Sequence, residues 1–361
     1  MILVDVVRHR IINQQLAGTT FKSAYEIVRW MGAMQAQDYA MAKWAIGVRL
    51  PNSTDNDIDN AINKGEIVRM HMMRPTWHLV DAKDVRWMLE LTTPHLIKSM
   101  KSRWKALGLT DKDFNRSNAV IEKSLARNNN MTRAELVTEL NKNKIKPNSL
   151  QTIHLMFNAE LNGIVCNGSL RGKQFTYSLL DIRIPLTKSL ARPEALAELS
   201  NRYFASHGPA TIQDFMWWSG LPAAEAKAGL EMVKSSLTCQ KTADQIYWFP
   251  ESLAVKPDIR TVYFLPAFDE FIISYKDRTA SLSQKFFSHA ITKNGIFRPV
   301  IVVNGQVVGT WSREIKNTRL ILEHKFFRSS DKLKKHDVTQ AIRPYEKFLG
   351  KKIFLMTKVI V

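Results

Sequence analysis

The stretch YEIVRWMGAMQAQDYAMAKWAIGVRL, residues 25–50, decides how the first part of this chain folds. Ile27, Trp30 and Met31 recur at helical spacing, and a second helical run follows over residues 39–48. The polar residues between the two runs end in an aspartate, a residue type that often caps the start of a helix. The pattern predicts two helices joined by a short turn, the arrangement of a helix-turn-helix unit.

The predicted turn carries Gln35-Ala36-Gln37-Asp38, two neutral amides and one carboxylate, where helix-turn-helix units usually carry basic residues. Side chains two residues apart on a helix point about 200° apart, so we expect the backbone to turn between the two amides. A pair of amides that faces one site is suited to holding a water molecule against a target. The structural alternative is that both amides cap backbone groups at the turn.

The charge of the chain is uneven. The 361 residues are 45% hydrophobic and 24% charged, which indicates a globular protein of two to four domains with a net charge of +19. Basic residues exceed acidic ones by nine in residues 81–192 and by eleven in residues 253–361, whereas acidic residues lead by three in residues 193–252. This distribution predicts a polyanionic partner, with the acidic segment turned away from phosphates. The alternative is a basic protein without such a partner.

The cysteines and the apolar runs exclude several classes of protein. Cys166 and Cys239 lie far apart, with no second thiol or histidine at metal-binding spacing, so we expect no disulfide framework, no metal and no cofactor. The N-terminus does not follow the pattern of a signal peptide, and no stretch of about 18 apolar residues is present. We therefore expect a cytoplasmic monomer that does not enter a membrane.

A pattern of helices followed by a two-stranded hairpin recurs along the chain. It is seen at residues 25–80 and 132–179, and a third copy is expected in the acidic segment, with Trp217 and Trp218 in its core. In the last part of the chain, Asn304-Gly305 predicts a hairpin with a type I′ turn. We predict an α+β fold with these parts: a first winged helix at 1–80, a helical linker at 81–128, a second winged helix at 129–192, a third winged helix at 193–252 and a β-rich C-terminal domain at 253–361.

Four runs of the chain resemble one known family. They are QAQ (35–37), RPTWHLV (74–80), LPAFDEF (265–271, followed by Asp277-Arg278) and VVGTW (307–311). On these runs the chain resembles the winged-helix DNA glycosylases of the AlkZ-like and YcaQ-like type, over nearly its whole length. The AlkZ-like branch carries a Gln-hydrophobic-Gln motif, which residues 35–37 match, whereas the YcaQ-like branch has Asp where this chain has Gln37. The resemblance implies three tandem winged helices and a β-rich C-terminal domain. It also implies excision of N-alkylated bases and, in some members, opening of interstrand crosslinks.

The resemblance also implies catalytic roles in the motif, with Gln37 holding the attacking water and Gln35 positioning the water or the sugar. An N3- or N7-alkylated purine is already a cationic leaving group, so the usual pair of carboxylates is not needed. Asp38 is expected to cap the next helix, and the alternative is a negative charge beside the developing cation. His78 is predicted to support the reaction, and the alternative is a structural histidine.

Duplex DNA that carries alkylated bases is the expected partner. Arg171 and Lys173 lie at the predicted tip of the second hairpin, where they would contact phosphates or the minor groove. A solvated turn is the alternative for these two residues. Arg74 and Arg313 complete the predicted DNA contacts.

Taken with the resemblance, the sequence predicts a monofunctional DNA glycosylase that hydrolyses the N-glycosidic bond of N-alkylated purines and could also unhook interstrand crosslinks. One alternative is a non-catalytic winged-helix DNA-binding protein such as a transcription regulator. Another is an interaction protein whose acidic unit docks a partner. Uncharged polar residues in the predicted turn and three units in one chain favour the enzyme.

Overall fold

The structure is a computed structural model that describes residues 3–187, 189–242, 245–251, 262–316, 319–331 and 333–357. The chain contains both helices and mostly antiparallel strands, in agreement with the predicted α+β class. No helix in these ranges is long and apolar enough to span a bilayer.

The first segment contains the quoted stretch. Its elements are α1 (Leu3–Asn13), α2 (Ala24–Met31), β1 (Met34–Gln35), α3 (Tyr39–Gly47), α4 (Asp55–Asn63), β2 (Ile67–Met72) and β3 (Arg74–Asp81). A capping box between Ser23 and Glu26 starts α2, and the apolar face of α2 buries Ile27 and Met31. The three strands form an antiparallel sheet in the order β1-β3-β2.

The predicted turn between α2 and α3 is wrong for Gln35, whereas the chain does bend at Gln37 and Asp38. Met34 and Gln35 form β1, an edge strand that pairs with β3, and Gln35 lies opposite His78. The backbone N–H of Ala36 continues the pairing by donating to the Trp77 carbonyl. Gln35 therefore lies on an edge strand and Gln37 at the bend that follows it, and the first side chain is buried whereas the second is exposed.

The second segment repeats this order of elements. After α5 (Val85–Ala106) come α6 (Asp111–Asn128), β4 (Met131–Thr132), α7 (Arg133–Lys142), α8 (Ser149–Leu161), β5 (Val165–Asn167), β6 (Thr176–Leu179) and α9 (Leu180–Arg183). The sheet order β4-β6-β5 matches that of the first segment. Residues 81–128 do not behave as a linker, because Phe114, Ile121 and Leu125 of α6 share a core with Leu136 and Leu140 of α7.

The third segment has the same succession. It contains α10 (Arg192–His207), α11 (Ile212–Ser219), α12 (Ala223–Val233), β7 (Leu237–Lys241) and β8 (Ile246–Pro250). A single bridge between Ala210 and Trp248 takes the place of the first strand. Trp218 is fully buried as predicted, whereas Trp217 is only half-buried, so the prediction that both lie in the core is wrong for Trp217.

The C-terminal domain is built on one five-stranded sheet. Its elements are β9 (Val262–Leu265), α13 (Glu270–Ile273), α14 (Phe287–Ala290), β10 (Val300–Val303), β11 (Gln306–Lys316), β12 (Arg319–Phe326), α15 (Lys335–Leu349) and β13 (Ile353–Thr357). The strand order is β13-β12-β11-β10-β9, and only the β12–β13 pair in this sheet is parallel. Asn304 and Gly305 have φ values of 49° and 81°, which confirms the predicted positive-φ hairpin turn.

The C-terminal domain is docked firmly against the first segment. The indole N–H groups of Trp44 and Trp311 donate to the carbonyls of Phe264 and Leu265, at 2.8 and 2.7 Å. Arg49 and Asp269, both buried, form two 2.8 Å hydrogen bonds between the two parts. This packing brings the residue after Asp269 to the back of β1.

Candidate active site

Three groups hold the backbone of Gln35 and Ala36. The Gln35 N–H donates to Oε1 of Glu270 at 2.6 Å, and the Ala36 N–H donates to the Trp77 carbonyl at 2.7 Å. The Ala36 carbonyl accepts from Nε and Nη2 of Arg69 at 3.1 and 2.9 Å. The backbone of the first two motif residues is therefore held in place by both the first segment and the C-terminal domain.

Gln35 is buried, and its amide oxygen is fully used inside the protein. Only 4% of the residue is exposed. Its Oε1 accepts from Arg74 Nη2 at 2.9 Å and, at a longer 3.5 Å, from Thr76 Oγ1. An amide oxygen has two lone pairs, so no lone pair of Gln35 is left for a water molecule.

Gln37 is exposed and keeps one acceptor site. Its Oε1 accepts from the Trp77 backbone N–H at 3.1 Å, and within the described ranges the second lone pair and both amide N–H groups have no further partner. The alternative, that the amides cap backbone groups, therefore holds in part: Gln37 uses one of the two lone pairs of its oxygen to accept from a backbone N–H. The same hydrogen bond fixes the direction of its side chain.

Asp38 is the exposed N-cap of α3, as predicted. One of its carboxylate oxygens, Oδ1, accepts from the Met41 N–H at 3.1 Å. Because Asp38 directly follows Gln37, this capping interaction also fixes the end of the motif.

His78 lies behind the motif and away from solvent. It is 1% exposed, and its Nδ1 is 3.0 Å from the Thr76 carbonyl, which makes Nδ1 the protonated nitrogen. Burial, helped by the nearby Arg74 cation, lowers the pKa of His78 to about 3. A neutral, buried imidazole can support the strand that carries Gln35, and this supporting role stays a prediction.

Glu270 is a site residue that the sequence analysis did not single out. It is 1% exposed, and besides the Gln35 N–H it accepts a hydrogen bond from Ser274 Oγ and lies 3.7 Å from His207 Nε2. Burial alone would raise the pKa of Glu270, but these neighbours outweigh it and lower the pKa to about 2. The LPAFDEF run drew attention to the region, but only the tertiary fold shows which of its acids meets the motif.

Arg69 is the second residue that was missed. It is 9% exposed, and its guanidinium lies 4.3 Å from the Trp77 ring, 5.1 Å from Phe175 and 5.7 Å from Tyr39. Burial lowers the pKa of this guanidinium, although nearby acidic groups oppose the shift. Phe175 comes from the hairpin of the second segment, so that hairpin reaches the motif through Arg69.

The predicted DNA contacts fall in different places. Arg74 adjoins Gln35, whereas no contact among the described residues joins Arg171, Lys173 or Arg313 to the motif. Arg171 is exposed and pairs with Glu135 at 2.6 Å, and Lys173 is exposed beside it. Arg313 is half-buried and donates to the Tyr345 hydroxyl. In the described ranges, no group of three or more His, Cys, Asp or Glu side chains could hold a metal ion.

Comparison with known proteins decides the family. The sequence model of the DNA glycosylase AlkZ-like family matches residues 28–348. The chain belongs to this family. The family named from the four sequence runs is therefore confirmed, and membership in a family of enzymes that hydrolyse N-glycosidic bonds decides against a non-catalytic regulator.

Two matches to proteins of Streptomyces sahachiroi extend the family assignment. One is a curated protein named interstrand DNA cross-link repair glycosylase, which is 24% identical over 336 residues, 88% of this chain and 89% of the relative. The other is the solved structure of the DNA glycosylase AlkZ, with a TM-score of 0.81 at 21% identity, over 98% of this chain and 99% of that one. The structural match shows that the AlkZ fold is shared along nearly the whole chain.

Proposed function

We propose that this protein is a monofunctional DNA glycosylase that hydrolyses the N-glycosidic bond of N-alkylated purines in duplex DNA. It acts as a cytoplasmic monomer, without a metal or a cofactor. The observation that carries the proposal is Gln37, an exposed amide directly after the fixed residues Gln35 and Ala36, whose oxygen accepts one hydrogen bond within the described residues and keeps a second lone pair. A water molecule held by that lone pair would have a fixed position, as attack on an anomeric carbon requires.

The reaction does not require the protein to protonate the leaving base. A purine alkylated at N3 or N7 carries a positive charge, so it departs as a neutral base without protonation. Gln37 orients the water, Gln35 holds Arg74 and the strand in place, and Asp38 supports the site by capping α3 and fixing the end of the motif. His78 acts from behind β1 as a positioning residue.

The repeated order of helix, strand, two helices and hairpin supports three winged-helix units. We assign them to the predicted ranges 1–80, 129–192 and 193–252, with the α6 helix of residues 81–128 added to the second unit. The β-rich domain at 253–361 closes the site from behind through Glu270. Duplex DNA lies across the basic second unit and the C-terminal domain, where Arg74, Arg171, Lys173 and Arg313 supply positive charge.

Interstrand crosslinks form a second class of substrate, because the Streptomyces relative carries a name for crosslink repair. A crosslink that joins two purines through N7 contains the same cationic glycosidic bond twice. The same water and the same Gln37 would therefore release either end.

The proposal is tested with a duplex that contains one N7-methylguanine and a second duplex that contains an N7–N7 interstrand crosslink. Abasic sites are scored by alkaline strand cleavage after incubation with wild-type protein and with Gln37→Ala. We expect wild-type protein to produce abasic sites in the first duplex and single-strand products from the second. Absence of release from both duplexes at saturating wild-type protein would overturn the proposal.

A further inference from the structure

A group of three cations surrounds one half-buried indole in the third segment. Trp217 lies on α11, and its indole N–H donates to the Ile273 carbonyl at 2.8 Å, which fixes the ring. Lys276 Nζ and Arg278 Cζ each lie 5.1 Å from the ring centroid, and Arg74 Cζ lies 5.9 Å from it. We call Arg74, Trp217, Lys276 and Arg278 the Trp217 cluster.

Acidic side chains lie near the Trp217 cluster without pairing directly with its cations: among the described residues, Asp214 and Asp277 attract Arg278, and Glu270 attracts Arg74. Within the described parts of the chain, no carboxylate forms an ion pair with any of the three. Nε of Arg74 and Nη2 of Arg278 are buried and lack a hydrogen-bond partner. Burial lowers the pKa of Arg278 to about 10, so the group stays charged at neutral pH at a cost in desolvation. Positive charge held at such a cost is expected to serve an anionic ligand.

The cluster is fixed beside the catalytic motif. Arg74 Nη2 donates to Gln35 Oε1 at 2.9 Å, so one member of the cluster touches the motif directly. The hairpin turn before Arg74 is docked on the C-terminus of α11, where a Cβ at Gly220 would lie 2.6 Å from the Met73 carbonyl oxygen. Only glycine permits this approach, and the third segment thereby holds the hairpin that carries Arg74.

We propose that the Trp217 cluster binds the backbone phosphodiester next to the nucleotide whose base is released. The inference rests on the proposed function and adds a subsite to it. A base in a duplex reaches an active site only when its nucleotide rotates out of the stack, and contacts to the neighbouring phosphates fix the rotated backbone. Guanidinium and ammonium groups are the side chains that best bind phosphate. The acidic third segment, expected to face away from DNA, thus contributes to the DNA site.

The test measures binding without base release. Wild-type protein and Lys276→Gln are titrated by fluorescence anisotropy against a duplex with one tetrahydrofuran abasic-site analogue, over a range of salt concentrations. We expect Lys276→Gln to bind about three- to tenfold more weakly and to reduce the log–log salt slope by about 0.9, the value for one lost phosphate contact. Lys227→Gln, which removes an exposed lysine of α12 in the third segment, is the matched control and should leave both quantities unchanged.

Replacing single phosphates by a neutral analogue identifies the phosphate that the Trp217 cluster contacts. Each phosphate that flanks the analogue is replaced in turn by a methylphosphonate. At one position the wild-type protein should lose as much affinity as Lys276→Gln does, and the two changes together should cost no more than either alone. Additive losses at every flanking position, or an unchanged salt slope in Lys276→Gln, would overturn the inference. Base release plays no part in these measurements, so an inactive enzyme that shows the non-additivity would refute the proposed reaction and leave the phosphate site standing.

Discussion

Gln35 and Gln37 are chemically identical side chains that the fold gives different tasks. The buried Gln35 spends both lone pairs of its oxygen on Arg74 and Thr76, whereas the exposed Gln37 spends one on the Trp77 backbone. Solvent access and free acceptor capacity therefore coincide only at Gln37. At the scale of single residues, this difference separates a positioning amide from one that can hold water.

Two substitutions at Asp38 distinguish its role as a helix cap from the effect of its negative charge. Asp38→Ala removes the acceptor for the Met41 N–H and should lower the free energy of unfolding by about 1 kcal/mol. Asp38→Asn keeps a good N-cap and removes the charge, so its stability should stay near that of the wild type. We expect both variants to keep single-turnover base release in a quench-flow assay. A slow Asp38→Asn variant of normal stability would instead assign the carboxylate a part in the reaction.

His78 should make the protein sensitive to acid. The unfolded chain takes up a proton on this histidine below its ordinary pKa of 6.5, whereas the folded protein does not until about pH 3. The unfolded state therefore binds more protons in this window, and the free energy of unfolding falls as the pH is lowered. From pH 7.5 to pH 5.5 the loss from His78 should be about 1.4 kcal/mol, and above pH 7.5 it is negligible.

Urea unfolding at these two pH values tests the effect of His78. His78→Asn is the comparison, because its amide can still donate to the Thr76 carbonyl but does not titrate. The pH-dependent loss should be about 1.4 kcal/mol smaller in this variant than in the wild type. Equal losses in the two proteins would mean that the folded protein protonates His78 near its ordinary pKa.

At the scale of elements, substitution in the short turn between β10 and β11 should lower the stability of the protein markedly. Gly305 has a φ of 81°, and a Cβ there would overlap Val7 Cγ1 of α1. Gly295 has a similar φ of 74° with no atom within 4 Å of its Cβ position, so it is a matched control. Gly295→Ala should cost about 1 kcal/mol of backbone strain, and Gly305→Ala about 1–3 kcal/mol more for the clash. Equal melting temperatures for the two variants would show that α1 moves aside freely.

The sequence predicts local elements better than their partners. The Asn304-Gly305 turn, the Asp38 cap of α3 and the buried Trp218 follow from residue chemistry within a few positions, and the structure has them. The strand β1 was missed, because two residues carry no periodicity and the strand exists only through its pairing with β3. A local sequence pattern cannot predict an element whose boundaries are set by pairing with a distant part of the chain.

At the scale of the whole molecule, the uneven distribution of charge predicts which surface faces DNA. Lys173 is exposed on the hairpin of the basic second segment, whereas Lys227 is exposed in the acidic third segment. Lys173→Glu should weaken binding to duplex DNA of any sequence and make the log–log salt slope shallower by about 0.9. Lys227→Glu should do neither in the same titration. The opposite ranking of the two variants would mean that the DNA lies on another face.

The site draws on all parts of the chain, which limits what the sequence can reveal. The motif itself and Arg74 are visible in the sequence as polar runs within 40 residues of each other. Glu270 supports Gln35 from 235 positions away, and Trp217 lies in a segment whose net charge argued against a part in DNA binding. Such contacts are set by the docking of segments and not by any local pattern.

Single-turnover release of N7-methylguanine by Gln37→Ala tests the central claim most directly. The substitution changes no charge and leaves the core intact, so DNA affinity and melting temperature should stay near the wild-type values. The rate of base release should fall at least about tenfold, which corresponds to a loss of at least about 1.4 kcal/mol of transition-state stabilisation. A Gln37→Ala protein that releases the base at the wild-type rate would contradict the assignment of the water to Gln37.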